Sequence, residues 1–289
     1  MNAIEIDNLS KTYSTKRGAK VEALKGINLN VDCGEVFGFL GPNGAGKSTT
    51  IKILMGLIRA SGGSARLMGK SVGSHLSRCC VGFLPENPAF YDYLNGDEYL
   101  RFVGGVFDMD ASRLRSRSEE VLRRLDLWDA RGRIIRSYSK GMVQRLGIAQ
   151  VLLHDPDIYL LDEPMSGLDP VGRALVKQII VELKQNGKTV FFSTHITSDV
   201  EEVCDRLGII VEGELKRIEG VESILTQGIE GYDLRFRRKG SKEESRQFVT
   251  VAQLTAALES FRERGEEVIL VEPRREGLEN FFLSILKEG

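Results

Sequence analysis

The chain has 289 residues, of which 42% are hydrophobic, so it is long enough for one large domain with an appendage or for two domains. Its 40 basic and 41 acidic side chains leave a net charge of −1, which gives no electrostatic reason to expect nucleic-acid binding. The segment Met1–Asp7 lacks the basic and apolar regions of a signal peptide. Since no apolar run approaches the roughly 18 residues of a membrane span, we expect neither a signal peptide nor a transmembrane segment.

The N-terminal part of the chain predicts short strands around a single helix. Alternating or continuous apolar residues predict strands at residues 3–9, 21–24, 27–31, 36–40, 64–68 and 81–84. A glycine-rich loop follows the strand at 36–40. Helical spacing begins at Ser48, and the two glycines Gly62 and Gly63 are expected to stop that helix.

From Asp97 to His154 the pattern becomes helical and rich in charge. It predicts helices at residues 97–106, 111–125 and 139–153. Because this block interrupts an alternation of strands and helices, we interpret it as an inserted helical subdomain of about residues 87–155. The alternation resumes with a strand at 158–161, a helix at 171–186 and a strand at 189–193. This order predicts a mostly parallel sheet covered on both faces.

The composition changes near residue 220. Residues 236–248 are mostly charged and are predicted to form an exposed loop. Beyond them the pattern predicts a helix at 251–265, a strand at 267–271 and a helix at 277–287. We therefore predict two domains, residues 1–219 and 220–289, of which the second is a small α+β appendage.

The glycine-rich loop carries the most specific motif in the chain. It reads Gly41-Pro42-Asn43-Gly44-Ala45-Gly46-Lys47-Ser48, the G-x-x-x-x-G-K-S pattern of phosphate-binding loops, between a predicted strand and a predicted helix. The glycines allow backbone N–H groups to point at phosphate oxygens, next to the positive end of the helix. We expect this loop, through Thr49, to bind ATP, with Lys47 on the β- and γ-phosphates and Ser48 on Mg²⁺. The alternative is an ordinary glycine-rich turn before a helix.

Two adjacent carboxylates, Asp162 and Glu163, end the apolar run Ile158–Leu161. We expect Asp162 to hold Mg²⁺ through its water shell. We expect Glu163 to face the other side of the strand end, where it orients and deprotonates the attacking water. Acidic pairs at strand ends also form turns, but a phosphate-binding loop upstream favours the catalytic interpretation.

Further motifs follow in a characteristic order. They are Tyr138-Ser139-Lys140-Gly141-Met142-Val143-Gln144-Arg145-Leu146, Met165-Ser166-Gly167-Leu168-Asp169-Pro170 and Ser193-Thr194-His195. With the phosphate loop and the acidic pair, they resemble the nucleotide-binding subunit of an ATP-binding cassette transporter. The resemblance covers about residues 1–217. It implies an ATPase with an α/β fold: a P-loop NTPase core with a mostly parallel sheet, an antiparallel β subdomain and the inserted helical subdomain.

The resemblance assigns roles to particular residues. Tyr13 is implied to stack on adenine, although a strand-end tyrosine is the simpler alternative. Ser139 and Gly141 match the signature loop, which closes over the γ-phosphate bound by the opposite subunit; the alternative for Ser139 is a plain helix cap. Asp169 matches a loop that crosses the dimer interface. His195 matches the switch histidine that touches the γ-phosphate and steadies the catalytic carboxylate, where a structural histidine is the alternative.

The chain departs from the family pattern in two places. Lys140 and Met142 stand in the signature loop where the family has glycine and glutamine, and we expect altered nucleotide or partner contacts there. Glu86 stands where most of the family has glutamine. A carboxylate there is expected to contact the nucleotide and Mg²⁺, and we hypothesise that its charge weakens ATP-driven closure unless Mg²⁺ is bound.

These departures, with the segment Asn87–Tyr91, resemble the ATPases of bacterial exporters whose membrane subunit is encoded separately. The tail Gly277–Leu283 resembles the C-terminal motif of that branch, and the alternative is a solvated amphipathic helix. Dimer clamping and regulation are both open as roles of the tail. The resemblance implies a polytopic permease as partner, docked near Tyr91, Tyr93 and Leu94. Since no motif is lost, it also implies a homodimer, peripheral on the cytoplasmic face of the cell membrane.

Two other functions are consistent with a phosphate-binding loop. A soluble cassette ATPase that acts as a switch on the ribosome or DNA usually carries tandem cassettes, zinc cysteines, coiled-coil inserts or basic arms, and this sequence has one cassette and none of those features. A metabolic kinase has no use for the signature and switch motifs. We therefore expect a transport ATPase that does not bind nucleic acid.

Overall fold

The computed structural model describes residues 1–14, 19–227, 229–238, 244–275 and 277–288. Contacts divide the chain into two compact units, Met1–Ile218 and Glu219–Gly289. Each unit has a hydrophobic core of its own. Among the residues described, no helix combines the length and the apolar character needed to span a bilayer.

The described residues form strands and helices along the whole chain. The strands are β1 (Asn2–Ser14), β2 (Lys20–Asp32), β3 (Val36–Leu40), β4 (Gly62–Leu67), β5 (Lys70–Ser71), β6 (Val81–Leu84), β7 (Ile158–Asp162), β8 (Thr189–Thr194), β9 (Arg206–Val211), β10 (Glu214–Gly220), β11 (Ile229–Arg238), β12 (Ser245–Thr250) and β13 (Glu266–Arg275). The helices are α1 (Lys47–Leu54), α2 (His75–Arg78), α3 (Gly96–Val106), α4 (Ala111–Arg124), α5 (Lys140–Leu153), α6 (Pro170–Gln185), α7 (Thr197–Val203), α8 (Val221–Gln227), α9 (Leu254–Glu263) and α10 (Leu278–Glu288). Short 3₁₀ segments lie at Trp128–Ala130, Ile135–Ser137 and Val251–Gln253.

A parallel sheet positions the functional segments of the first unit. In the described residues it has six strands in the order β10-β9-β3-β8-β7-β6, and the pairs from β9 through β6 are parallel. Strands β3, β7 and β8 are buried along their whole length, which explains their continuous apolar runs. Because parallel strands end at the same edge of a sheet, the segments that follow β3, β6, β7 and β8 meet there. The predicted α/β class is confirmed.

A second sheet of the first unit is antiparallel, with the order β2-β1-β4-β5. The two strands predicted at 21–24 and 27–31 are wrong as separate elements, since they form the single strand β2. The pairing steps from Leu9 with Ile27 to Ser10 with Lys25, so Gly26 is the extra residue of a bulge. Its φ of +81° is a conformation that glycine adopts without strain, and the strand therefore continues through it.

The helix after the phosphate loop is shorter than predicted. It ends at Leu54, well before Gly62 and Gly63, which lie at the start of β4. The residue that stops it is Gly56, in the left-handed region at φ +69°, directly after the C-cap Met55. A glycine at this position is the usual end of a helix.

The inserted helical block lies between β6 and β7, as predicted, with α3, α4 and α5 packed on one another. Each of these helices begins at a side-chain cap. Asn95 accepts from Glu98 in a capping box, Asp110 accepts from Ser112 and Arg113, and Ser139 accepts from Met142. These caps satisfy N–H groups that otherwise lack partners.

The second unit contains the antiparallel sheet β12-β11-β13 with α9 packed on one face, and α8 packs against α10. Leu234, Val249 and Phe261 form its buried core. The rings of Phe236 and Phe261 stack at 4.2 Å.

The loop predicted at residues 236–248 is wrong at both ends. Strand β11 continues to Arg238 and β12 begins at Ser245, and these strands pair directly; residues 239–243 lie outside the described part of the chain. In a sheet covered on one face, charged side chains occupy alternate positions on the open face. A charged composition alone therefore did not exclude strands.

We expect the second unit to depend on Phe261, which is fully buried between α9 and the sheet. Replacing it with alanine should destabilise this unit by about 3–5 kcal/mol, since the cavity cannot be refilled. Hydrogen exchange of amides in β11, β12 and β13 measures the effect.

The matched control is Phe248→Ala on the open face of the same sheet, where the ring is 41% exposed. This change should lower the stability by about 1 kcal/mol or less. Equal loss of amide protection in both variants would contradict the assignment of Phe261 to the core.

Candidate nucleotide-binding site

Segments from three strands surround one pocket at the carboxyl edge of the parallel sheet. The pocket has a volume of about 330 Å³ and is lined by Ala23, Asn43, Gly44, Gly46, Lys47, Ser48, Thr49, Glu86 and Glu163. Six of these nine residues come from the loop after β3 and the first turn of α1, Ala23 comes from β2, Glu86 follows β6 and Glu163 follows β7. The structure thus brings together residues that are more than one hundred positions apart in sequence.

The loop between β3 and α1 requires glycine at two positions. At Gly41 a Cβ atom would lie 2.3 Å from the carbonyl oxygen of Ile210, and at Gly46 φ is +113°. Gly46 is the N-cap of α1, and no side chain in the described residues caps this helix. Its first N–H groups are therefore free to receive an anion, which the positive end of the helix also favours. Pro42 and Ala45 complete this turn, since Pro42 accepts a bond from Ala45 N–H.

Lys47 is buried in the pocket. Its Nζ donates to the carbonyl oxygens of Gly41 at 2.6 Å and Pro42 at 3.2 Å, and lies 3.7 Å from Oε1 of Glu163. Burial lowers the pKa of Lys47, and the carboxylates of Glu163, Asp162 and Glu86 oppose that fall. The lysine is thus a cation held within the loop, where phosphate oxygens can replace the carbonyl oxygens as its partners.

Asp162 ends β7 and is buried beside Ser48. Its Oδ1 accepts from the hydroxyl of Ser48 at 3.1 Å and from that of Ser193 at 2.6 Å. A carboxylate and a hydroxyl together are the hard oxygen donors that Mg²⁺ prefers. In the described ranges, no group of three or more His, Cys, Asp or Glu residues could hold a metal by itself. The pair therefore fits Mg²⁺ whose other ligands are phosphate oxygens and water, the usual arrangement for this ion.

Glu163 has a backbone conformation that is unusual for its residue type. Its φ is +50°, and its N–H donates to the carbonyl oxygen of Ser193 at 3.2 Å and to the Ser193 hydroxyl at 3.1 Å. Its Oε1 lies 2.9 Å from Nδ1 of His195, whose side chain is half exposed. Left-handed backbone at a non-glycine residue persists only where neighbours hold it, and it is concentrated at functional sites.

Sequence reasoning missed two residues that hold the acidic pair. Ser193 bridges them, because its hydroxyl donates to Asp162 and accepts from the Glu163 N–H. Gln144, on α5 and 4% exposed, donates from Nε2 to the carbonyl oxygens of Glu163 at 3.4 Å and Pro164 at 3.0 Å. Its signal in the sequence was a polar residue among the apolar residues that α5 buries.

The predicted signature and interface residues lie elsewhere. Ser139 caps α5 and Asp169 caps α6, where it accepts from Gly172 N–H at 2.8 Å. The two loops adjoin, since a Cβ at Gly141 would be 3.8 Å from the carbonyl oxygen of Gly167. Of these residues, none is among the described side chains that line the pocket.

Tyr13 also lies outside the pocket lining. It is 38% exposed near the end of β1, and Nζ of Lys11 lies 5.0 Å from the centre of its ring. The ring is accessible, so the stacking role remains a prediction.

Comparison with known proteins identifies the family. Residues 24–166 match the family model described as ABC transporter. An uncharacterized ABC transporter ATP-binding protein of Synechocystis is 45% identical over 84% of this chain and 69% of its own length. This chain belongs to the ABC transporter ATP-binding proteins. As an ABC ATPase, it binds and hydrolyses ATP. A fluoroquinolones export ATP-binding protein of Mycobacterium tuberculosis is 39% identical over 68% of this chain and 65% of its own length.

Solved structures agree with this assignment. An ATP-binding subunit of an ABC transporter superposes with a TM-score of 0.71 at 30% identity, covering 78% of this chain and 92% of that chain. A dimeric ATP-binding cassette in a post-hydrolysis state, bound to ADP and Pi, superposes with a TM-score of 0.70 at 26% identity, covering 75% and 98%. The P-loop NTPase fold of this ABC ATPase is therefore shown, and such subunits work with membrane components.

We expect Gln144→Leu to impair ATP hydrolysis without abolishing ATP binding. The change leaves the carbonyl oxygen of Pro164 without its donor and releases the backbone of Glu163, and small displacements of a reacting group slow catalysis by about tenfold to a hundredfold. Phosphate release and ATP affinity, measured on folded protein, separate the two effects.

Gln178→Leu is the matched control, because Gln178 is exposed on α6 and bonds only to Glu182 among the described residues. It should hydrolyse ATP at the wild-type rate. A Gln144→Leu variant as fast as this control would show that α5 does not hold the acidic loop.

Proposed function

We propose that this chain is the motor of an exporter, in which two copies bind ATP between them and drive a separately encoded membrane subunit. One observation supports the proposed dimer. The phosphate loop, Glu86 and Glu163 line one pocket, and Asp162 and His195 bond to residues of that lining, while Ser139, Gly141 and Asp169 lie outside it on a second surface of the same chain. The pocket of one copy is completed by the second surface of another copy only when the two copies meet head to tail.

The second surface has the character of an interface. Val171 lies two residues after the Asp169 cap, in the first turn of α6, and its apolar side chain is 78% exposed. Ser139, Lys140 and Gly167 are exposed beside it. The dimeric cassette with ADP and Pi, a structural relative at 26% identity, supports the same association.

The geometry supports a separate role for each of three residues during hydrolysis. The phosphates lie against the N-terminus of α1, and Lys47 exchanges the loop carbonyls for phosphate oxygens. Glu163 accepts a proton from water as the water oxygen attacks the γ-phosphorus and the bond to the β-γ bridging oxygen breaks. His195 holds the carboxylate of Glu163 in position, and the ammonium group of Lys47 lies 3.7 Å from its Oε1 atom.

Ser48 and Asp162 would hold Mg²⁺, with Glu86 beside them. When bound, the ion supplies positive charge against the phosphates. The residues of the chain then provide the orientation: the hydroxyl of Ser193 donates to Oδ1 of Asp162 at 2.6 Å and fixes this carboxylate beside Ser48.

The membrane subunit is proposed to dock on the helical insert. Tyr91 and Tyr93 are exposed, and Tyr91 packs edge-on against the half-exposed ring of Phe102 at 5.6 Å. A mostly apolar groove of about 480 Å³ lies near this patch, lined in part by Phe83, Tyr99 and Val103 of β6 and α3. Aromatic side chains around a groove suit an apolar helical segment of a partner.

Leu94 contributes less than the sequence suggested, because it is half-buried and its backbone bonds to Tyr91 and Ile135. The export direction is supported by the mycobacterial relative, whose name states export of fluoroquinolones. Docking to a permease would place the chain on the cytoplasmic face of the membrane.

We expect Glu163→Gln to bind ATP with near wild-type affinity and to accumulate as a closed dimer. Removing a general base slows hydrolysis by about 10²–10⁴-fold. Phosphate release measures the rate, and sedimentation with ATP measures the dimer. The control Glu259→Gln changes an exposed glutamate on α9 and should keep wild-type turnover. Near-normal turnover in Glu163→Gln would remove Glu163 as the base.

Co-purification in the host tests the transport function. The tagged chain, extracted in mild detergent, should retain a polytopic membrane protein at near-equal stoichiometry. Tyr93→Glu should lose this protein, because a charge is placed in the docking patch, while Leu57→Glu, at a similarly exposed leucine, should keep it. Recovery with ribosomal or DNA-bound proteins alone would overturn the transport proposal in favour of a cassette switch.

A further inference from the structure

The pocket contains more negative than positive charge. Lys47 is the only basic side chain that lines it in the described residues, whereas Glu86 and Glu163 both do, and Asp162 lies directly behind Ser48. The substrate is itself a polyanion. Since like charges in a partly desolvated site repel strongly, a further cation would favour closing a dimer over ATP here, in addition to Lys47 and to the Mg²⁺ that Ser48 and Asp162 would hold.

Glu86 is the least compensated carboxylate in this group, since the charge of Lys47 acts on it without a direct ion pair. It lies two residues beyond the end of β6 and is exposed at the rim of the pocket. Asp162 has two hydroxyl donors and Glu163 has His195 and Lys47. For Glu86, the described residues contain no hydrogen bond or ion pair.

Lys140 is a cation that, like the Glu86 carboxylate, forms no ion pair within the described residues. It is the first residue of α5, beside the positive end of the helix, where a cation is unfavourable. The ammonium is exposed, and no carboxylate within the described ranges pairs with it. Its aliphatic stem lies on Gly167, where a Cβ would be 2.5 Å from Cε of Lys140. The stem is thus packed in place on the second surface while the charge remains uncompensated.

We propose that Lys140 of one copy offsets Glu86 of the other across the nucleotide, so that the two charges act as an intersubunit pair in the closed dimer. This inference rests on the proposed head-to-tail association. The two charges lie on the two complementary surfaces of one chain, and neither forms an ion pair there within the described residues. Lys140 is a positioning residue in this arrangement, because it acts on closure through Glu86 and the adjacent phosphate.

The intersubunit pair would link ATP binding to dimer closure. In an isolated subunit Glu86 repels the incoming phosphates, and only the approach of a second copy brings the compensating cation. Closure and charge neutralisation are therefore coupled. Removing the carboxylate should make the lysine dispensable.

A double-mutant cycle on the full chain tests this, in the Glu163→Gln background that prevents hydrolysis. The dissociation constant of the ATP-bound dimer is measured by sedimentation for that background, with Glu86→Gln, with Lys140→Gln and with both. Lys140→Gln should weaken the dimer about tenfold when Glu86 is present and less than about twofold when it is glutamine, within the range of coupled charged pairs. The conservative Lys140→Arg should stay within about twofold of lysine, and added salt should reduce the coupling.

The control cycle uses Glu259→Gln and Lys70→Gln, which change two exposed residues outside the proposed pair, and should be additive. Failure of the Glu163→Gln protein to dimerise with ATP would overturn the head-to-tail dimer of the proposed function. If that protein dimerises but Glu86 and Lys140 are additive, the dimer stands and the intersubunit pair is wrong. Tighter dimerisation of Lys140→Gln would also overturn the pair.

Discussion

The parallel register of β3, β8 and β7 is the constraint on which the rest of the structure depends. Asp162 is paired with Ser193 across β7 and β8, and Leu40 with Thr194 across β3 and β8. This register ends the three strands at the same level, so the phosphate loop, the acidic pair and His195 emerge together. A slip of one residue would turn alternate side chains to the opposite face and separate these groups.

Within that frame, buried charges stabilise one another. Lys47, Asp162 and Glu163 are each less than a tenth exposed, and isolated burial of any of them would be strongly unfavourable. Hydroxyl donors, loop carbonyls and His195 compensate most of this charge within the chain. Glu86 and Lys140 are exposed and form no ion pair within the described residues, and their positions on two different surfaces are what suggests a second copy. Gln144 links those surfaces, because it belongs to the helix that Ser139 begins and bonds to the backbone of Glu163.

Much of the fold could be predicted because its helices, strands and turns depend on patterns of residues that are close in sequence. The helical insert, the apolar strands and the phosphate loop each depend on residues close in sequence. The failures were also local in origin. A charged run was interpreted as a loop although an open sheet face accepts charges. Two strands were predicted at 21–24 and 27–31 although a bulge at Gly26 lets the single strand β2 continue. Gln144 and Ser193 were missed because their function lies in contacts made across the fold.

By itself, then, the sequence determined the kinds of elements, their order and the chemistry of the phosphate loop, because glycine conformations, capping and hydrophobic periodicity act over a few residues. Only the tertiary structure decided which distant side chains share the pocket and which do not. Asp162 meets Ser48 across 114 positions, whereas Ser139 and Asp169, nearer to Asp162 in sequence, lie on another surface. The reason is that sheet register and strand order set these distances, and both are established by long-range packing.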